Sequence, residues 1–168
     1  MLLTCSVIAT DAQAQTAKES QAAAIKKLGG LVTFDNKTPG KPLVGVDLRF
    51  TNVTDAGLVH LKGLTKLKSL NLSFTNVTDA GLVHLKGLTR LQSLSLSLTK
   101  VTGAGLVHLK RLTKLETLDL AYTNVTDSGL LHLIGLKKLQ RLDLRRTKVT
   151  PAGVKALQAA LPKCKILR

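Results

Sequence analysis

Four histidines, His60, His84, His108 and His132, stand at a fixed interval of 24 residues. Recurrent histidines suggest a metal site when several can approach one ion to about 2 Å. With Leu58, Leu61 and Leu64 setting the inward face of a helical segment, however, His60 points about 100° away from that face. Segments stacked at roughly 8–10 Å would bring one ligand per layer. The histidines are therefore read as a solvated flank, and no metal or cofactor is expected. Asp119 and Asp143 are also 24 residues apart. On neighbouring strands they would lie about 4.8 Å apart, an arrangement in which paired carboxylates can do acid and base work. Arg141, Arg145 and Arg146 are close enough in sequence to neutralise them, and no nucleophile or Gly-rich phosphate loop accompanies them. The expectation is a mixed-charge binding patch and no enzyme.

Both sets of residues belong to one larger repetition. The stretch from Thr51 to Thr65 returns nearly unchanged from Thr75, and with drift from Thr99, Thr123 and Thr147. A fixed period of about 20–50 residues marks a stacked architecture in which each repeat buries its apolar face against its neighbours. Five units begin at Leu43, Leu67, Leu91, Leu115 and Leu139. In each, the fourth and sixth positions (Val46 and Leu48, Leu70 and Leu72, Leu94 and Leu96, Leu118 and Leu120, Leu142 and Leu144) alternate as a strand does. They are expected inward, and the third, fifth and seventh positions outward.

After each strand comes a Val (Val53, Val77, Val101, Val125, Val149) and then a Thr. Thr54, Thr78, Thr102, Thr126 and Thr150 are expected as helix N-caps. Asp55, Asp79 and Asp127 follow where the helix dipole favours negative charge, and Pro151 takes the first helical position. Each helix is expected to run about two turns and close on Gly63, Gly87 or Gly135. The third unit has Arg111 there, which predicts a strained, loose helix end.

Residues 1–15 combine an apolar run with Ala12-Gln13-Ala14, the small-x-small pattern of a signal-peptidase site, though the basic n-region is missing. They read as a signal peptide, with a disordered leader as the alternative. That points to a secreted, periplasmic or envelope protein, against a cytoplasmic one. Residues 16–42 read as an N-terminal cap: a helix from Lys18 to Leu28 before Gly29-Gly30, a strand Leu31–Phe34, and a turn around Pro39 and Pro42. The repeats occupy 43–162, and 163–168 reads as a closing strand.

Apolar residues are 44% of the 168-residue chain but aromatics only 2%, so the core must be built from Leu, Val and Ala. Cys5 and Cys164, at opposite ends, form neither a disulfide framework nor a zinc motif. No apolar run reaches the roughly 18 residues of a membrane-spanning helix. The net charge of +15 favours anionic partners, while the scarcity of rings gives no stacking platform for nucleic acid.

The unit Leu-x-x-Leu-x-Leu-x-x-Thr-x-Val-Thr-Asp-x-Gly-Leu-x-x-Leu resembles the leucine-rich repeat, and is similar to the planctomycete-type bacterial repeats related to the cysteine-containing subfamily, with Thr in place of Cys. The resemblance spans Leu43 to Arg168. It implies an α/β fold, a right-handed solenoid with a curved parallel sheet on the concave face and short helices on the convex one, used mostly as a protein-binding scaffold. It also implies that Thr51, Thr75, Thr99, Thr123 and Thr147 form an internal hydrogen-bonded ladder.

The variable positions carry the candidate sites. The eighth position gives the column Phe50, Phe74, Leu98, Tyr122 and Arg146, three of the chain's four aromatics with an Arg, residue types that anchor interfaces. The alternative is that they cover the strand-to-turn edge. With Arg49, Asn71, Ser73, Ser95, Ser97, Asp119, Asp143 and Arg145 they form the expected surface for a protein partner. A second set, Lys62, Lys66, Lys86, Arg90, Lys110, Lys114 and Lys138, suits an anionic polymer such as an acidic polysaccharide or nucleic acid, or else serves dipole compensation and solubility. Val59, Val83, Val107 and Leu131, with Ile134, form an outer apolar column that is either an interface or ordinary exposed surface.

Overall fold

The computed structural model describes residue 16 and residues 18–168; the leader reading of 1–15 lies outside them. A helix over 18–27 (α1) buries Ala22 and Ile25, and Lys18 Nζ donates to the carbonyls of Gly40 and Lys41, fastening it to the following turn. The strand Leu31–Phe34 (β1) pairs antiparallel with Leu43–Asp47 (β2). From there every pairing is parallel, through Ser69–Asn71 (β3), Ser93–Ser95 (β4), Thr117–Asp119 (β5), Arg141–Asp143 (β6) and Lys165–Leu167 (β7). The sheet runs β1 to β7 in sequence order, so each repeat adds one strand beside the last. This is an α/β solenoid.

The core follows the expected pattern. The fourth and sixth strand positions are buried in all five units, as are the repeat-helix leucines such as Leu58, Leu61, Leu82, Leu85, Leu106 and Leu109, and the five valines that follow the strands. Each layer stacks the same aliphatic shapes on the next, so one hydrophobic cluster runs the length of the solenoid.

The helical side departs from expectation. In the first three repeats it is 3₁₀ helix, Asp55–Leu61, Gly81–Leu85 and Gly105–Leu109, and in the fourth only one α-turn, Asp127–Leu130 (α2). A 3₁₀ helix rises about 2.0 Å per residue against 1.5 Å for an α-helix, so it crosses the same layer with fewer residues. The last repeat has one residue more. There a full α-helix forms, Pro151–Ala160 (α3), with Pro151 in the first turn.

The capping Thr residues are corrected likewise. Thr150 accepts the amide of Gly153 inside its helix at 3.2 Å, Thr78 and Thr102 accept those of Ala80 and Ala104 just ahead of theirs at 3.3 Å, and Thr54 and Thr126 make no side-chain cap bond. Thr78, Thr102 and Thr150 also reach the preceding repeat. Asp55 takes the Thr78 amide (2.8 Å) and hydroxyl (2.6 Å). Asp79 takes those of Thr102 (2.7 and 2.5 Å), and Asp127 those of Thr150 (2.8 and 2.6 Å). These aspartates are two-pronged clamps between repeats. The clamp also explains a recurrent glycine: a Cβ at Gly81, Gly105 or Gly153 would collide with the carboxylate of Asp55, Asp79 or Asp127.

Arg111 carries no left-handed strain. Among the residues closing the repeat helices only Gly63 has a positive φ (85°), because the others turn through right-handed backbone, as Lys86 and Lys110 do. The ladder threonines bond within their own repeat: Thr51, Thr75, Thr99, Thr123 and Thr147 each donate to the carbonyl three residues back, at 2.6–2.7 Å.

Candidate binding surface

The chain turns left-handed at the eighth position of each repeat. Phe50, Phe74, Leu98, Tyr122 and Arg146 have φ between 54° and 59°. Their amides are held in register, Phe50 to the Ser73 carbonyl (3.1 Å), Phe74 to Ser97 (3.0 Å), Leu98 to Ala121 (3.0 Å) and Tyr122 to Arg145 (2.9 Å). The side chains therefore leave the strand ends from rigid backbone. Phe50, Phe74 and Tyr122 are 69%, 46% and 55% exposed, and Arg146 is exposed as well. Phe50 and Phe74 stack at a centroid distance of 4.4 Å.

Other expected site residues are drawn inward. Ser73, Ser97 and Asp143 are buried, and Ala121 beside them shows that the seventh position does not face solvent in the middle repeats. The reason is the turn that follows: the strand has already ended, and the residue tucks under the chain. A polar row results. Ser97 Oγ lies 3.1 Å from Ser73 Oγ, which is 2.6 Å from Ser95 Oγ, which donates to Asp119 Oδ2 at 3.1 Å. The fifth-position side chains also hold the turn, since Asp47, Asn71, Asp119 and Asp143 each accept the amide two residues on at 3.0–3.1 Å.

Asp119 and Asp143 are Cα partners in the sheet, but they do not act as a matched pair. Asp119 is held by Ser95 and the Ala121 amide. Asp143 grips Arg145, whose Nε lies 3.0 Å and Nη2 2.7 Å from its two carboxylate oxygens. Burial raises the Asp143 pKa, but the Arg145 hydrogen bonds, the Arg145 amide and the nearby Arg charges outweigh it and leave it below the usual carboxylate value. Arg141 and Arg146 make no ion pair among the described residues; Arg49 pairs instead with Asp47 at 3.0 Å.

A shallow groove of about 390 Å³ lies on the sheet face at the N-terminal end, lined in part by Thr33, Gly45, Ser69, Asn71, Ser93 and Ser95. Asn71 and Ser95 were expected there. The third-position residues Gly45, Ser69 and Ser93 were not singled out, although their outward alternation was visible in the repeat. The seven basic residues Lys62, Lys66, Lys86, Arg90, Lys110, Lys114 and Lys138 are all exposed, and none makes a salt bridge among the described residues. The outer apolar column Val59, Val83, Val107, Leu131 and Ile134 is exposed too. The histidines are half-buried; burial and then Lys86 lower the pKa of His108. Among the described residues no group of three or more His, Cys, Asp or Glu could hold a metal ion, and no helix is long and apolar enough to cross a membrane.

The leucine-rich repeat family profile matches residues 63–85, 111–133 and 135–157. Three stretches of the chain are thus leucine-rich repeats by sequence, and the α/β solenoid they belong to has the leucine-rich repeat fold. A leucine-rich repeat protein of Leptospira interrogans shares 29% identity over 64% of this chain with a TM-score of 0.54. The match spans only 27% of that protein's length. An internalin C2 of Listeria monocytogenes is 22% identical over 87% of this chain and 80% of its own, at a TM-score of 0.47. No curated protein matches the chain. Leucine-rich repeat domains generally mediate protein–protein interaction and are typically binding modules, not enzymes.

Proposed function

We propose that this chain is a non-enzymatic interaction module that binds a partner protein through the sheet face and the strand-end column. The observation that carries the reading is which residues occupy the left-handed turns. Glycine would adopt that backbone freely, whereas another residue costs about 1–2 kcal/mol. The chain nevertheless places Phe, Phe, Leu, Tyr and Arg there, all of them exposed. Stacking of Phe50 on Phe74 returns part of that cost. Tyr122 and Arg146 gain no ring contact among the described residues, which supports a role toward something outside the chain.

The test is affinity capture from the source organism with wild type and with a Phe74→Ala, Tyr122→Ala variant. A protein held by wild type at high salt should be lost by the variant, each anchor contributing about 2 kcal/mol or more. Equal retention by both would overturn the reading. Hydrolase activity abolished by Asp119→Asn would overturn the non-enzymatic assignment.

A second reading rests on the seven exposed basic residues. Lys66, Arg90, Lys114 and Lys138 fall at one repeat position, so adjacent charges stack at about 4.8 Å, and an anionic polymer would relieve their repulsion. Binding of that kind should fall steeply with salt for any polyanion. We further propose export. Cleavage after Ala14 would leave Gln15 as the first residue of the secreted chain, and a full-length chain recovered from the cytoplasm would refute it.

A further inference from the structure

Beyond the ring column, at the C-terminal end of the solenoid, lies an open pocket of about 610 Å³ lined by Tyr122, Arg145, Arg146 and Arg168. No Asp or Glu side chain lines it. The acids nearest in charge are already engaged: Asp143 with Arg145, Asp119 with Ser95 and the Ala121 amide, Asp127 with Thr150. Two of the guanidiniums are anchored beforehand, Arg145 by Nε (3.0 Å) and Nη2 (2.7 Å) on Asp143 and Arg168 by Nε on the Val149 carbonyl (2.9 Å). Arg146 makes no ion pair among the described residues and leaves the chain from its left-handed turn.

We propose that this pocket is a binding site for a tetrahedral oxyanion, the phosphate or sulfate group of a monoester. A single carboxylate is satisfied by one guanidinium fork, whereas a phosphate group offers three strong acceptor oxygens, and clustered arginines recognise such groups. Anchoring two of the three side chains beforehand lowers the entropy lost on binding. Tyr122 adds a phenol at the rim, able to donate a further hydrogen bond. The site rests on the proposed function only in that the monoester would be presented by the partner protein; the pocket chemistry stands without it.

The chain contains one Tyr and no Trp, so intrinsic fluorescence reports on Tyr122 alone. Titration of the full chain with ethyl phosphate, at ionic strength held constant with sodium chloride, should give a saturable change. Arg146→Gln and Arg168→Gln should each weaken it about tenfold, while Lys27→Gln, an equal loss of charge on the exposed face of α1, should leave it unchanged. Ethyl sulfate in a parallel titration distinguishes the sources, since a phosphate monoester approaches two negative charges at neutral pH and a sulfate monoester carries one. Saturation by acetate at equal concentration, or unchanged affinity in both Arg variants, would overturn the proposal. Equal retention of a partner by wild type and by the Phe74→Ala, Tyr122→Ala variant, with saturable phosphate binding by wild type, would refute the proposed function and leave the pocket standing; loss of retention in the variant with no phosphate binding by wild type would do the opposite.

Discussion

The third repeat and its neighbours solve the same stacking problem in two ways. At the junctions from the first to the second repeat, the second to the third and the fourth to the fifth, an aspartate receives the amide and hydroxyl of a Thr in the next layer. The third repeat has Gly103 where the first, second and fourth have Asp. Without the carboxylate, Thr126 turns to Ser128 at 3.0 Å, and the backbones close up: a Cβ on either Gly103 or Gly129 would strike the other's backbone. An isolated parallel bridge, Thr102 to Asn124, joins the layers at the same point. A repeat junction can thus be held by a side-chain clamp or by bare backbone contact, and glycine serves both, making room for a carboxylate in one and for another glycine in the other.

The largest effect should come from breaking the backbone contact. Gly129→Ala places a methyl group against Gly103, and backbone cannot yield as a flexible side chain does, so a loss of about 3 kcal/mol is expected. Urea unfolding measures it. Gly103→Asp, which restores the repeat's usual residue, should also destabilise, because its Cβ meets Gly129 before its carboxylate can reach Thr126. A stabilised Gly103→Asp chain would show that the clamp is the better joint and that the close contact can open.

Breaking a clamp should cost less. Asp79→Ala removes two hydrogen bonds to Thr102 and should lose about 2 kcal/mol. Thr102→Val, which keeps the amide bond, should lose less, and the two changes should be non-additive in a double-mutant cycle. Additive losses would mean that Asp79 acts through the helix dipole, as the sequence suggested, and not through Thr102.

Acid separates the two kinds of junction. The Thr150 hydroxyl and amide hold the Asp127 pKa below its usual value. A carboxylate whose folded pKa is depressed contributes stability that is complete above the unfolded pKa, near 3.9, and disappears as pH falls through the lower folded value. The stability gap between wild type and Asp127→Ala should therefore close below about pH 4, whereas the gap for Gly129→Ala, which involves no titrating group, should persist. Urea midpoints of the three proteins at pH 7 and pH 3 make the comparison. A gap for Asp127→Ala that is unchanged at pH 3 would remove the clamp as the source of its stability.

The architecture was legible because it rests on position alone. A period of 24 residues, alternation along Leu70 and Leu72, and a Val after each strand specify which faces are buried whatever the detailed geometry. Contacts between layers were not legible, because a period shows what recurs and not what it touches. Asp55 and Thr78 read as dipole and cap within their own helices, and only stacking shows that they meet. The strand-end column was visible as a column of unusual types, but its left-handed backbone was not, since Phe, Leu and Tyr carry no sequence mark for positive φ. Ser73 and Ser97 were misplaced for a related reason: alternation was extended one residue past the point where the strand ends.

The third repeat has a second departure, Arg111, and it should matter least. Taken as a left-handed cap, Arg111 would be strained, and Arg111→Gly would stabilise the chain by about 1 kcal/mol. The structure gives it no positive φ, and its side chain is exposed with no salt bridge among the described residues. Gly87, at the same place in the second repeat, has an ordinary backbone as well, so this position does not require glycine. Arg111→Gly should then shift stability by no more than about 0.5 kcal/mol, in the range of surface changes that touch nothing. Thermal melts of Arg111→Gly beside Gly129→Ala put the two departures of one repeat on a single scale. A clear stabilisation by Arg111→Gly would place the third repeat's weakness at its helix end and not at its glycine junction.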